Sequence, residues 1–398
     1  MKNKYALIFA AVICAVSAGA QQPAFPGEGA FAPIADAVVE SNPALKAEEA
    51  SASAEIEELR AENVLENPEL EFEHLWSGTA ENKWNIGITQ SLPWPGIFGA
   101  RSSTASALAE AKAQSAMQSR RDLRLKTLQL LADIVGANRR VALLTEIRDN
   151  NAELRKHYEK AWQMGETTIL DLNKIKIEEI NSEGELAAVQ TDREALLAEL
   201  ASLAPDADVA AKAGDLTDYP AVTLSPLESY LSGVESSPEL ASMRALSAAE
   251  GRNEAVAKAL RLPGISLGYR HAYEEMSHFN GFSVGVTLPV YSRKHSLAAV
   301  RSRRMAAEFS SESLRMQLEQ TVRVDFAGAT TLRSQIALYA PVVENVNNLA
   351  LLRKALDGGQ LSLLDYLQEV SYFLRARLDF IDLNTEYTRT AFALSRYL

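Results

Sequence analysis

Glu69-Leu70-Glu71-Phe72-Glu73-His74-Leu75-Trp76 alternates residue by residue: carboxylates at 69, 71 and 73, and Leu70, Phe72, His74 and Trp76 between and after them. Side chains of a strand point alternately to its two faces, so this segment is a strand with one acidic and one apolar, aromatic face. After a short polar turn containing Gly78, Trp84, Ile86, Ile88, Gln90 and Leu92 alternate with Asn85, Gly87, Thr89 and Ser91. The pattern predicts strands over 68–76 and 84–92.

The same hairpin is written again near the middle of the chain. Ile265, Leu267, Tyr269, His271 and Tyr273 alternate with Ser266, Gly268, Arg270 and Ala272; Phe282, Val284, Val286 and Leu288 alternate with Gly281, Ser283, Gly285 and Thr287. This predicts strands over 264–273 and 281–289. Other features return at nearly the same offset. Asn42-Pro43-Ala44-Leu45 recurs as Ser237-Pro238-Glu239-Leu240 (238 − 43 = 195), Pro68 as Pro263, and Leu92-Pro93 as Leu288-Pro289. Gly165-Glu166-Thr167-Thr168-Ile169-Leu170-Asp171 recurs as Gly359-Gln360-Leu361-Ser362-Leu363-Leu364-Asp365 (359 − 165 = 194). A constant offset over most of a chain marks a duplicated unit.

Each unit reads helix, strand, strand, very long helix, turn, helix. A helix is expected from Asp36 to Glu66, with Pro43 near its first turn. Pro93, Pro95 and Gly96, and later Pro289, punctuate the switch from strand to helix. From Ala100 to Trp162 there is no proline; from Lys294 to Leu356 there is only Pro341, an expected kink. Sixty helical residues reach roughly 90 Å. Apolar residues then step by three and four: Leu144, Ile147, Asn151, Leu154, Tyr158, Ala161; Val342, Val346, Leu349, Arg353, Leu356; and Leu364, Leu367, Ser371, Leu374, Leu378, Ile381. Such stepping is a coiled-coil seam, which the polar members weaken toward a mixed bundle. The organisation expected is an export label over 1–20, a first repeat over 21–204, a linker over 205–225 and a second repeat over 226–398. The fold class is mainly α with a small transmembrane β part, internally duplicated.

Lys2 and Lys4 precede the apolar run Tyr5 to Val16, and Ala18-Gly19-Ala20 is a small-x-small cleavage site. The lone cysteine, Cys14, falls inside this label, so the mature chain is expected to have no thiol chemistry. The net charge of −12 becomes −12 − 2 = −14 once the two lysines leave. Such an acidic chain is poorly suited to nucleic acid. No other segment has the roughly 20 apolar residues of a membrane helix, so a membrane-spanning role falls to the strands. Runs of about nine to eleven residues with aromatics near their ends suit that role. A soluble hairpin with one face on a core shows the same alternation, but two matched hairpins on an exported chain favour lipid. Four strands cannot close a barrel, and an open edge is not tolerated in lipid, so a spanning chain must oligomerise. Three copies would give 3 × 4 = 12 strands; the pattern alone does not fix the number. Glu69, Glu71 and Glu73 would then line the lumen as acidic rings, or else cover a solvated strand face.

The ordered features resemble the outer-membrane factor family, the TolC-like channels of tripartite efflux and type I secretion. The carriers are the Asn-Pro-x-Leu helix start at Asn42, Asn67-Pro68-Glu69-Leu70 entering a strand, the Leu-Pro exits at Pro93 and Pro289, and the paired Gly-x5-Asp turns, across most of the mature chain. The resemblance implies a homotrimer with a 12-stranded β-barrel in the outer membrane of a Gram-negative bacterium, continued by an α-helical periplasmic tunnel. It implies an efflux channel closer to the metal and drug branch, with a periplasmic adaptor and a proton-driven inner-membrane pump as partners. A type I secretion channel and a soluble periplasmic coiled-coil scaffold remain alternatives. In such proteins the Gly-x5-Asp turns are periplasmic tips. Carried over, Gly165, Leu170, Gly359 and Leu364 meet the adaptor, and Asp365 and Asp171 are pore-gate candidates. Family members often place a second Asp three residues on; here that residue is Gln368. The plainer role for both aspartates is capping, since Thr168-x-x-Asp171 and Ser362-x-x-Asp365 fit a capping box.

No catalytic, metal or cofactor constellation stands out. The histidines at 74, 157, 271, 278 and 295 are scattered, with no i, i+4 pair. His271 and His278 flank a strand-to-turn passage and could hold a metal weakly; a surface loop is the plainer reading. An exported enzyme with an unrecognised site is the remaining alternative class.

Overall fold

The computed structural model describes residues 25–76, 78, 83–205, 207–274, 277–289, 294–343 and 348–398. The export label and Cys14 lie outside them. The chain divides into two compact units, and each expected repeat contributes to both. One unit is built from residues up to Lys46, Ser119–Val234 and Leu318–Leu398; the other from Ala47–Gln118 and Glu235–Gln317.

The first unit is helical. A 3-10 turn (Gly29–Phe31) leads into α1 (Ala32–Ser41). The helix expected over 36–66 therefore starts earlier, and it breaks at Asn42, whose ψ of 119° is not helical. The cause is Pro43, which disfavours helical backbone in the residue before it. Asn42 turns the break into a cap: its Oδ1 accepts from Leu45 N at 2.8 Å, and its Nδ2 donates to the Leu203 carbonyl at 2.7 Å. Pro43 opens α2 (Pro43–Ala61), which stops five residues short of Glu66.

The long helices follow: α3 (Gly96–Gln163), α4 (Ile169–Leu203), then α5 (Val209–Gly214) and α6 (Leu227–Glu235). The expected linker thus holds one short helix, and it is strapped down. Asn138 Nδ2 donates to the Leu216 carbonyl at 2.7 Å, Arg139 Nε to that of Thr217 at 2.6 Å, and the Tyr387 hydroxyl to that of Val222 at 2.9 Å. After α7 (Pro238–Ala259) and the second hairpin come α8 (Lys294–Val343), α9 (Asn348–Asp357) and α10 (Leu363–Ser395). Pro341 stands in the last turn of α8, so the expected kink sits beside that helix's end, while residues 344–347 lie outside the described set.

Two apolar cores hold this unit. Phe31, Leu128, Leu131, Ile134, Leu200 and Phe392 form one; Leu154, Ile175, Leu349, Tyr366 and Val370 centre the other. The first expected seam packs as read, with Leu144, Ile147, Asn151 and Leu154 buried. Asn151 keeps its place by donating to Ser182 Oγ at 3.2 Å. The third seam starts one residue early: Leu363, Tyr366 and Val370 are buried, while Leu364 is exposed. Likewise Val343 is buried where Val342 was expected. The alternative phase wins because it places Tyr366 in the core with its hydroxyl donating to Asn150 Oδ1 at 3.1 Å.

A buried ion pair ties the start of the chain to α3. Arg124, on α3, forks onto the buried Glu28 carboxylate, Nε to Oε1 at 2.7 Å and Nη2 to Oε2 at 2.5 Å, and its Nη1 reaches Asp36 at 2.5 Å. Glu28 Oε1 also accepts from Phe25 N at 2.8 Å.

The second unit carries a four-stranded antiparallel sheet in the order β1 (Glu69–Leu75), β2 (Lys83–Leu92), β3 (Gly264–Glu274), β4 (Ser277–Thr287). The central β2–β3 pairing joins the two hairpins into one sheet. The last strand begins four residues before the expected 281, because Ser277–Asn280 continue the pairing with Glu274–His271. Ser277, His278 and Asn280 are polar, and Phe279 falls on the small face, so an apolar alternation did not show this extension.

Replacing Arg124 leaves a buried carboxylate without its partner, a loss of about 3–5 kcal/mol. Arg124→Met is therefore expected to lower the thermal or urea unfolding midpoint of the purified protein sharply, and the double variant Arg124→Met/Glu28→Gln to recover part of it.

Candidate functional site

The sheet presents two chemically opposite faces. Register places Phe72, Ile86, His271 and Asn280 in one row across the four strands, and Leu70, Ile88, Tyr269 and Phe282 in the next. This face is aliphatic toward the helices, with Ile265, Leu267, Val284 and Val286, and aromatic toward the hairpin ends, with Trp84 stacked on Tyr273 at 6.0 Å. Its apolar side chains are uncovered within the chain: Phe282 is 89% exposed, Leu70 72% and Val284 71%.

The opposite face is mainly small and charged, with Leu75 and Phe279 near its hairpin ends. Glu69, Glu71 and Glu73 share it with Lys83, Asn85, Arg270 and Glu274. Two of the three acids read from the sequence are engaged inside the chain. Arg270 Nη2 lies 3.5 Å from Glu71 Oε2, across Gly87, and Asn85 donates to Glu73. Lys83 pairs with Glu274. Among the described residues Glu69 has no such partner. The sequence pattern gave the acidic side and the face of Arg270, but not the pairs Arg270–Glu71 and Lys83–Glu274, which depend on register.

Glycines let this face close up. A Cβ on Gly268 would come within 2.5 Å of Ser283 Oγ and 3.0 Å of Thr89 Oγ1; one on Gly285 would meet Ser266 Oγ at 2.4 Å.

The two Gly-x5-Asp turns, in the first unit, are built from the same bonds. After α3, Gly165 N donates to the Trp162 carbonyl at 3.0 Å and Glu166 N to that of Ala161 at 2.8 Å; after α9, Gly359 N donates to Leu356 at 3.0 Å and Gln360 N to Ala355 at 2.8 Å. This is the Schellman stop, and it needs the positive φ seen at Gly165 (78°) and Gly359 (67°). The next helix then starts on a hydroxyl. Asp171 N donates to Thr168 Oγ1 at 3.1 Å and Asp365 N to Ser362 Oγ at 3.2 Å. Each hydroxyl donates back to its aspartate, Thr168 to Asp171 Oδ2 at 2.7 Å and Ser362 to Asp365 Oδ2 at 2.6 Å.

The caps are thus Thr168 and Ser362, and each aspartate is hydrogen-bonded to its cap through backbone N–H and carboxylate. Asp171 differs in also pairing with Lys174 at 3.2 Å. The Thr168 hydroxyl first, and then Lys174, hold its carboxyl below the ordinary carboxylate value. Leu170 and Leu364 are exposed, 68% and 61%, as are Trp162, Met164 and Ile169 around the first turn. The turns therefore offer apolar surface to a partner.

Among the described residues no three metal-binding side chains converge, and no helix is long and apolar enough to cross a membrane. No family model and no curated protein matches the sequence. Solved structures do match. A membrane protein from Pseudomonas aeruginosa superposes with a TM-score of 0.76 at 18% identity, covering 93% of this chain and 90% of that one. CusC, described in terms of folding and transmembrane channel formation, gives 0.75 at 17% identity over 95% and 94%. The open state of the Neisseria gonorrhoeae MtrE outer membrane channel gives 0.73 at 16% identity over 92% and 88%. The chain has the fold of a TolC-like outer-membrane factor.

A depressed carboxyl value makes the Asp171 contribution complete above the ordinary carboxylate range and lost only as pH falls through the lowered value. Carboxyl NMR is expected to show Asp171 titrating below a free aspartate, and Thr168→Val to move it upward. Gly268→Val is expected to weaken the pairing of β3 with its neighbours, read as a lower thermal unfolding midpoint, because its side chain would meet the Ser283 and Thr89 hydroxyls.

Proposed function

We propose that this chain is the outer-membrane channel of a tripartite efflux system, a homotrimer whose three sheets close one 12-stranded barrel. The observation that carries this reading is the sheet: one face uncovered and apolar, the other small and charged, with both edges open. In lipid each unpaired edge group costs several kcal/mol, so β1 and β4 require partners from other copies. Closure by symmetric copies meets that need, and the uncovered side chains then face acyl chains instead of water. The internal duplication read from the sequence is supported by the recurrence of the same turn bonds at both tips.

The channel conducts without chemistry. An inner-membrane pump supplies the energy, and a periplasmic adaptor docks on the exposed apolar turns at Leu170 and Leu364. To open the tip the adaptor must bind the open form more tightly than the closed one. Asp365, on the second turn, is the gate candidate; its cap leaves the carboxylate exposed to act on the pore as well. Glu69 and Glu73, with Glu71 partly offset by Arg270, bias the barrel toward cations.

Asp365→Ala is expected to raise the resting conductance of the reconstituted protein in planar bilayers; an unchanged closed-state current would make Asp365 a cap alone. Glu69→Gln is expected to reduce cation preference more than Glu71→Gln, because Glu71 already has Arg270 beside it. Equal effects would place the selectivity elsewhere. Recovery of the protein from detergent-extracted outer membrane as a trimer tests the assembly, and recovery as a soluble periplasmic species would replace the channel with a scaffold.

A further inference from the structure

The structure brings together two histidines that the sequence left seven residues apart, on the outward face near the hairpin end of β3 and β4. We propose that His271 and His278 form a binding site for a divalent transition-metal cation, a site independent of the conduction path. Register makes them diagonal neighbours: Tyr273 pairs with His278, and His271 with Asn280. His271 Nε2 lies 3.3 Å from His278 Nδ1, and the rings meet edge to edge with centroids 5.3 Å apart. Imidazole nitrogens bind zinc at about 2.0–2.1 Å, so two of them at a tetrahedral angle on one ion stand about 3.3 Å apart. The pair already has the separation that a shared ion requires.

The surroundings set up the donor. His271 Nδ1 lies 2.7 Å from Asn280 Oδ1, and the Tyr269 hydroxyl donates to that same oxygen at 2.7 Å. An amide oxygen only accepts, so His271 carries its proton on Nδ1 and presents a bare Nε2. Ligating histidines are held in this way, the non-ligating N–H donated to a neighbouring oxygen that fixes tautomer and ring orientation. Trp84 (5.4 Å from His271) and Tyr273 (5.1 Å from His278) wall the pair on two sides. Without metal, His278 Nδ1–H donates to His271 Nε2. On binding, the His278 proton moves to its Nε2, both neutral rings turn lone pairs to the ion, and no net proton leaves. Two imidazoles select Zn²⁺, Cu²⁺ or Ni²⁺ over the oxygen-seeking Ca²⁺ and Mg²⁺. In the proposed barrel the aromatic hairpin end lies at the lipid–water boundary, so water completes the coordination and the site stays open and exchangeable.

The test uses the full untagged chain in detergent, with Cu²⁺ read by electron paramagnetic resonance and Zn²⁺ by calorimetry. The expected result is a hyperfine pattern from two bound nitrogens. Zn²⁺ affinity should fall at least tenfold in His271→Asn and in His278→Asn, about tenfold in Asn280→Ala, and not in His74→Asn. Zn²⁺ binding equally well to the His271→Asn/His278→Asn double variant would overturn the proposal. Should the variants assemble poorly, the unsubstituted protein decides: a copper spectrum with two nitrogens supports the site, and one with none or a single nitrogen overturns it.

Discussion

The hydrogen bonds that a single chain cannot make govern this molecule. Four antiparallel strands satisfy one another through β2 and β3, and leave the outer sides of β1 and β4 unpaired. In water such edges are a liability that proteins blunt with charge or bulges; in lipid they are forbidden. The apolar face next to those edges argues for lipid, since burying a side chain such as Phe282 or Leu70 is worth about 1.5–3 kcal/mol and this chain buries neither. Edge and face thus point to the same remedy, a closed ring of several copies.

The helices obey a parallel rule at their ends. A helix leaves four donors and four acceptors unpaired, and the two turns at Gly165 and Gly359 answer with one recipe: a left-handed glycine to stop, a hydroxyl to restart, and an aspartate hydrogen-bonded to that hydroxyl. This economy leaves Leu170 and Leu364 without packing duties, and so open to a partner. At the other end of the first unit's sequence, charge does the fastening. Arg124 holds Glu28 and Asp36, so the segment around them is locked to α3 rather than left free.

Much of this was legible in the residues. Period-two alternation located all four strands within a few positions, because an amphipathic strand must alternate. The turns were legible because glycine at positive φ and Ser/Thr-x-x-Asp have few other uses in that order. What stayed hidden depended on neighbours remote in sequence. Nothing local shows that β2 pairs with β3, hence that Arg270 would reach Glu71 or that β4 would extend back to Ser277. The seam of α10 was misjudged by one residue because Leu363 and Leu364 are equally apolar, and only the Tyr366–Asn150 contact decides between them. The break at Asn42 was readable from Pro43 but was outweighed by a long helix-favouring composition.

The central claim is that β1 of one copy pairs with β4 of another. It is tested most directly by disulfide trapping, since the sequence's only cysteine is Cys14, within the expected export label. Leu70→Cys and Val284→Cys in one chain, oxidised in native membranes, should yield covalently linked chains ending at a closed trimer, with register scanned by moving the second cysteine along β4. A chain that forms no intermolecular disulfide at any β4 position, and is recovered as a soluble monomer, would contradict the account.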